Sequence, residues 1–497
     1  MRRRDLIFGA SAALAAPVTG LAAEFKRAPE GRVPIPAIRP SEIPLPPPAA
    51  GREVRARFGL SGQSGWLAVD LDNGRVLDGF GAEERFAPAS VAKLPTALFA
   101  MDKLGGGHRF ETTLEITGEV RGEGLAGNVV LKGAGDPELD SDALVPLVLA
   151  LKELGIREVS GAFLVDDSAI LAFPEIDPAQ PAEAPYNPGL SGLNLNFNRA
   201  RLRWGKSGID VLAWAERLRT PANSLKVVAA AAEDARLFSH RFQGNRELWQ
   251  MSRRALRRPG ERWLPVKAPA LYAGETFRHL AQTYGIALPG PQRAATQGAR
   301  VIARHRSRPL AAMLRDMLRF STNITAEAVG AAASGAGSAA DSAGQMNAWA
   351  AGEAGFASGD PGFAFVNHSG LSTQSRVSPQ RMVALLQALA RRSGGTHARL
   401  PGAAAGLLKR HNVASEDLPL DYDRLEVVSK TGTMNFIRGL AGYVATPGGR
   451  RLAFAVFSND LPRRGFGEGL DRRWMGRARG FERALIRNWV LMADGKS

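Results

Sequence analysis

The 497-residue chain contains no cysteine. That excludes disulfides, a thiol nucleophile and a Cys-ligated metal. It does not fix the redox compartment, because exported proteins can do without disulfides. Histidine is sparse: seven residues, scattered singly, with no H-E-x-x-H and no close pair. A zinc peptidase is therefore not expected, and no histidine has a motif partner that would make it a catalytic base. No metal and no cofactor is expected. Beyond the N-terminus no apolar run is long enough to span a bilayer, so no stable membrane span is expected. Acid is short as well: 48 Asp and Glu face 64 Lys and Arg, a formal charge of +16. Such an excess reads first as a solvated basic surface, then as attraction to an anionic polymer or membrane surface. Nucleic acid is not expected as a partner of an exported chain.

What is present starts with the N-terminus. "MRRRDLIFGASAALAAPVTGLAAE" has a basic head, an apolar middle broken by Pro17 and Gly20, and small residues near Ala22–Ala23. It reads as a bacterial secretory signal over 1–23. Arg3-Arg4-Asp5-Leu6-Ile7 fits a twin-arginine pattern loosely, so export by a Sec or twin-arginine route to the periplasm is expected. Residues 24–49 are Pro-rich and read as an extended tether. Hydrophobics make up 45% of the chain, ample for cores, and the length suggests roughly three domains.

"GWLAVDL" and "RVLDGFG" flank Asp72-Asn73-Gly74, a strong hairpin signal. A helix with Leu94, Ala97, Leu98 and Met101 on one face follows Ser90 and stops at Gly105-Gly106-Gly107. Residues 108–265 are mostly short β-like runs between glycine turns, with one helix near 142–154. From about 268 helices dominate. Three strands ("LEVVSKTGT", "IRGLAGYVA", "RLAFAVFSN") and a basic amphipathic helix close the chain. The early hairpin is too small to stand alone. One antiparallel sheet is therefore expected, with N- and C-terminal strands side by side and helices on its faces. It would comprise 50–107 and 266–497, with 108–265 inserted. The insertion carries no catalytic motif and is expected to shape access.

Three motifs occur in order: Ser90-Val91-Ala92-Lys93, Ser321-Thr322-Asn323 and Lys430-Thr431-Gly432-Thr433. Each alone is weak; together, at a helix start, between helices and on a strand, they form a specific set. A serine hydroxyl needs a base. A lysine one helical turn away can serve once burial and a nearby cation, here Lys430, lower its pKa. Ser321 can relay a proton and Asn323 can hold a substrate amide. The Ser90 N–H, with a strand N–H near Thr433, would form an oxyanion hole.

With these motifs, the sequence resembles the class C low-molecular-mass penicillin-binding proteins, the serine D-alanyl-D-alanine carboxypeptidase/endopeptidases. "GAGDPEL" at 133–139, "GAFLVDDS" at 161–168, "SGLS" at 369–372, "VSP" at 377–379 and "KTGTMNFIRGLAGYV" at 430–444 extend the likeness over most of 50–490. The resemblance implies an α/β (α+β) penicillin-binding/β-lactamase-like transpeptidase domain, its antiparallel sheet flanked by helices, with mostly β accessory domains inserted between the first two motifs. It implies cleavage of D-Ala-D-Ala in peptidoglycan stem peptides through an acyl-enzyme, extending to D-Ala-diaminopimelate cross-links. It also implies covalent inhibition by β-lactam antibiotics. The matched roles are nucleophile for Ser90, base for Lys93, relay for Ser321, amide contact for Asn323, and carboxylate anchoring by Lys430, Thr431 and Thr433, with Gly432 between them.

The sequence departs from the family pattern in places. Asn367-His368 replaces the usual Asp-Gly, Thr373 stands where an arginine commonly follows "SGLS", and "GAAAGLLKR" at 402–410 replaces another common motif. Arg376 is the obvious substitute for the missing arginine. Two rival readings are a serine β-lactamase and a non-catalytic wall-binding protein with a vestigial site. The first is disfavoured because "SGLNLNFN" at 191–198 lacks the deacylating Glu of class A enzymes.

Overall fold

A computed structural model describes residues 49–206, 208–230, 237–392, 402–411, 425–465 and 471–495. The signal expected over 1–23 and nearly all of the tether expected over 24–49 lie outside these residues. Ala49 is already helical, at the start of Ala49–Phe58.

The expected sheet is six-stranded and antiparallel. Its order is Val76–Phe80, Gln63–Asp70, Arg451–Asn459, Ile437–Ala445, Glu426–Met434 and Lys409–His411. The N-terminal hairpin turns at Asp72-Asn73-Gly74 and lies beside a C-terminal strand, with Trp66 opposite Val456. Every residue of Ile437–Ala445 is buried, because both faces of the sheet are covered. Strands buried on both sides need near-continuous apolar sequence, and "IRGLAGYVA" supplies it.

On one face pack the helices Lys93–Leu104, Leu310–Phe320, Ala339–Ala354 and Pro379–Arg392, around Leu98, Met313, Met346 and Leu385. Tyr443 ties this face together by donating from its hydroxyl to the Leu386 carbonyl at 2.8 Å. On the other face the helices Ala49–Phe58 and Arg472–Ala493 cover Trp66, Phe454 and Trp489. Trp66 is fully buried, and truncating it to Ala costs about 3–5 kcal/mol.

The intervening region has its own core around Leu131, Leu144, Phe163, Tyr272 and Phe277. Its largest sheet runs Pro291–Arg293, Phe163–Asp166, Val129–Gly133, Glu111–Ile116 and Arg300–Arg306. A four-stranded and two three-stranded sheets accompany it. The division expected at 265/266 is not where the packing divides. The helix Pro269–Thr283 buries Tyr272, Ala273 and Phe277 in this second core, and Arg300–Arg306 pairs with Glu111–Ile116. Periodicity marks 269–283 as a helix but does not say which sheet it covers. The chain leaves and re-enters the large sheet's domain side by side, near 108 and 307, where Phe110 N donates to Ser307 Oγ at 2.8 Å.

Candidate active site

Ser90 sits in a single 3-10 turn, Ala89–Ala92, that runs into the helix Lys93–Leu104. The helix thus begins at the lysine, three residues later than the motif suggested. Pro95 falls in its first turn, where an amide hydrogen would have no intrahelical partner. Ala89 has φ +48, a left-handed conformation that costs energy without glycine. The kink buries Ala89, Val91 and Ala92 and leaves Ser90 half-exposed. Two glycines allow the backbone to crowd this turn. A Cβ on Gly370 (φ +72) would lie 1.9 Å from the Ala89 carbonyl oxygen, and one on Gly432 2.2 Å from that of Pro88. Strand residue Gly432 therefore runs directly beside the Ser90 amide.

Lys93 is fully buried. Its Nζ donates to Asn323 Oδ1 at 2.7 Å and to the Ser369 carbonyl at 2.7 Å, and lies 3.0 Å from Ser90 Oγ. Asn323 Nδ2 donates to the Tyr186 carbonyl at 2.9 Å, which settles that Oδ1 is the atom facing Lys93. Two of the three partners are acceptors only. These two take two of the Nζ hydrogens, so that in a neutral amine the lone pair would face the one partner that can also donate, the Ser90 hydroxyl. Burial, and then the Lys430 charge, hold Lys93 well below the ordinary lysine range, with Glu327 opposing.

Ser321 ends the helix Leu310–Phe320 in a left-handed conformation, φ +61, and its N–H donates to the Met317 carbonyl at 2.8 Å. This cap turns its hydroxyl toward the strand Glu426–Met434, where Lys430 Nζ donates to it at 3.1 Å and to the Thr431 carbonyl at 2.8 Å. Lys430 is 2% exposed. Burial, then Arg438 and Lys409, lower it to about 7. Thr433 Oγ1 accepts from Arg438 Nη1 at 2.7 Å, directly across the strand pair, and Arg438 Nε is held by both Glu482 oxygens at 2.9 Å.

The structure therefore brings Ser90, Lys93 and Asn323 into one hydrogen-bonded group and Ser321 with Lys430 into another. Gly432 packs on the turn that carries Ser90. Thr431 meets Lys430 through its carbonyl, and Thr433 bonds to Arg438 rather than to another motif residue. The two lysines are coupled through charge.

Sequence reasoning missed four contributors: Tyr186, Glu327, Ser369 and Arg438. Tyr186 and Ser369 act through backbone carbonyls, which no side-chain pattern announces. Glu327 had a signal, a lone acid in the apolar run "ITAEAVGAAA". Tyr186 also joins the insertion to the site, because its carbonyl accepts from Asn323 Nδ2. Its loop is anchored on the helix Asn323–Ser334, Leu190 packing against Ile324, Ala328 and Ala331.

The departures from the family pattern have local partners. Asn367 Oδ1 accepts from Gly370 N at 2.9 Å. His368 is buried, its Nε2 2.7 Å from Ser342 Oγ, and burial lowers it to about 4. Arg376 does not reach out in place of the arginine missing at Thr373. Its Nη1 donates to the carbonyls of Thr373 and Ser375. In "SGLNLNFN" the asparagines knot their own turn: Asn198 Nδ2 donates to Asn194 Oδ1 at 2.8 Å, and Asn194 Oδ1 accepts from Ser191 N at 3.1 Å.

Comparison with known proteins gives a consistent result. A profile of the D-Ala-D-Ala carboxypeptidase 3 (S13) family matches residues 59–471. The chain is 23% identical over 426 residues to the D-alanyl-D-alanine carboxypeptidase DacB of Haemophilus influenzae, covering 80% of this chain and 85% of that protein. It is 28% identical over 426 residues to a D-alanyl-D-alanine carboxypeptidase of an Actinomadura strain, covering 80% and 77%. The fold is similar to the crystal structure of penicillin binding protein 4 (dacB) from Haemophilus influenzae, at a TM-score of 0.71, 19% identity, and 88% and 99% coverage.

Proposed function

The chain belongs to the D-Ala-D-Ala carboxypeptidase 3 (S13) family, and from that premise we propose a serine-type D-Ala-D-Ala carboxypeptidase in which Ser90 is the nucleophile and Lys93 its base. The observation that carries the assignment is the buried Lys93 Nζ, 3.0 Å from Ser90 Oγ and held there by two acceptors, Asn323 Oδ1 and the Ser369 carbonyl.

The chemistry follows from the geometry. Lys93 takes the Ser90 proton as Oγ attacks the carbonyl carbon of the penultimate D-Ala. The Ser90 and Thr433 amides stabilise the developing oxyanion. The terminal D-Ala leaves as the peptide C–N bond breaks, its nitrogen taking, through Ser321, the proton that Lys93 removed from Ser90. Asn323 holds the substrate amide. Lys430, Thr431 and Thr433, with Arg438 behind them, make a positive end for the free carboxylate. Water then hydrolyses the Ser90 ester. A β-lactam forms the same ester, but its leaving nitrogen stays tethered and the ester persists. On a D-Ala-diaminopimelate cross-link the same acyl step is an endopeptidase action.

The working place is the periplasm, reached through the signal at 1–23. No described helix is long and apolar enough to cross a membrane. The domain division that fits the packing is 49–107 with 307–495 for the site-bearing part and 108–306 for the insertion.

The test is intact mass after penicillin treatment, then peptide mapping. One adduct on Ser90 is expected, and none in a folded Ser90→Ala variant; an adduct on another residue overturns the assignment. Burst-then-stall kinetics with a chromogenic β-lactam are expected, where fast turnover would mark a β-lactamase.

A further inference from the structure

Behind the site lies a buried acid to which none of the bond-making steps above gives a part. Glu327 stands four residues beyond Asn323, on the same face of the helix Asn323–Ser334. It is 3% exposed. Its Oε1 accepts from Ser369 N at 2.8 Å and its Oε2 from His368 N at 3.2 Å, and the Ser369 hydroxyl adds a third hydrogen bond. Burial pushes the Glu327 carboxyl above its ordinary range, while the two N–H groups, the hydroxyl and the Lys93 charge oppose burial and favour the ionised form.

All three donors belong to the turn Asn367–Gly370. Gly370 N closes this turn on Asn367 Oδ1, and Thr96 Oγ1 fixes its far side by donating to the His368 carbonyl at 2.7 Å. Its Ser369 carbonyl is the oxygen that accepts from Lys93. The acid therefore reaches the base twice, through the turn it clamps and through its charge.

We propose that Glu327 is a positioning residue for acylation: it fixes the 367–370 turn so that the Ser369 carbonyl takes one Lys93 hydrogen, and its negative charge sets how readily Lys93 gives up its ammonium proton. This rests on the reading of Lys93 as the base.

The charges around the pair come from several elements. Lys430, from the strand Glu426–Met434, pushes the Lys93 proton off, and Glu327 holds it on. Arg438 and Lys409 act on Lys430, and His411 stands near it. His368, in the clamped turn, is kept neutral by burial. Without Glu327 the cationic side would act on Lys93 unopposed. The base would then be free of its proton at lower pH, but its aim would slacken because the turn would lose its anchor.

The test is the rate of acylation by a fluorescent penicillin from about pH 5 to about pH 9, with melting curves to show folding. Glu327→Gln keeps the shape, removes the charge and turns an NH2 group toward one of the turn amides. Its acid limb is expected to move to lower pH by about one unit, with the plateau about tenfold down. Glu327→Asp keeps the charge but not the reach, so its acid limb should stay in place while its plateau falls. An unmoved acid limb in Glu327→Gln overturns the inference. If Glu327→Gln does not fold, Glu327→Asp carries the test, and a wild-type plateau there overturns it. Lys93→Arg is run beside them. Wild-type labelling in that variant sinks the base assignment itself, a failure distinct from an unmoved limb in Glu327→Gln.

Discussion

Lys93 begins a helix and Lys430 lies on a strand, and both ammonium groups are almost wholly withdrawn from solvent. What surrounds them differs. Lys93 meets two acceptors, a hydroxyl and a nearby carboxylate. Lys430 meets a hydroxyl and a carbonyl, with Arg438 and Lys409 close by. Burial disfavours the charged form of both. On the proposed reading the neutral form of Lys93 has a use, a lone pair against the Ser90 hydroxyl. On the same reading the Lys430 cation serves when an anion arrives, and the free carboxylate of a D-Ala terminus is such an anion. The proposal thus gives the same residue type in one cleft opposite protonation tasks, set by different neighbours.

The contrast can be broken most forcefully at Lys93. Lys93→Arg keeps a cation but cannot deprotonate usefully, so acylation by penicillin should fall about a thousandfold, measured by stopped-flow labelling. If the two lysines played equal parts, a charge-preserving change at Lys93 would cost little.

A second effect concerns the neutral group behind Lys93. His368 is lowered to about 4 from 6.5. Between these values the unfolded chain binds a proton that the folded chain refuses, so stability falls as pH drops through the window. The shift corresponds to roughly 3 kcal/mol. Denaturant unfolding at stepped pH should show His368→Asn less stable near neutrality but losing less on acidification.

A third, smaller effect sharpens the contrast at Lys430. With its pKa at about 7, KM for a D-Ala-D-Ala stem should rise above that pH by up to about tenfold per pH unit. Lys430→Arg should abolish the rise, and kcat should not follow it. The smallest expected change is at Arg376. Its guanidinium is spent on the carbonyls of Thr373 and Ser375. Arg376→Ala should therefore leave the preference between carboxylated and amidated stems within about twofold and cost under about 1 kcal/mol of stability.

The lysine contrast was half legible in the sequence. Spacing alone put Ser90 and Lys93 on one face, and the strand context placed Lys430 on the sheet. The pairing of N- and C-terminal strands followed from the hairpin's need for partners. The acid beside Lys93 was harder to read. Glu327 is far from 93 in sequence, and a single acid on a helix ordinarily points to water. Tyr186 and Ser369 were illegible because they contribute carbonyl oxygens, which every residue possesses. The boundary at 307 was missed because a helix advertises its apolar stripe and not its address. Arg438 is one of 64 basic residues, and only the register opposite Thr433 distinguishes it.

Ser64 and Ser458 lie on adjacent strands with their hydroxyl oxygens 3.0 Å apart, yet 394 residues separate them. That distance makes the site a late event in the life of the chain. During synthesis the strand Gln63–Asp70 waits without one neighbour until nearly the whole polypeptide exists, and the inserted region, rich in shorter-range pairings, can form first. The strand bearing Lys430 is equally late, lying between Ile437–Ala445 and Lys409–His411. A growing chain therefore carries Ser90 without the elements that would arm it, and hydrolytic competence comes as one of the last acts of folding.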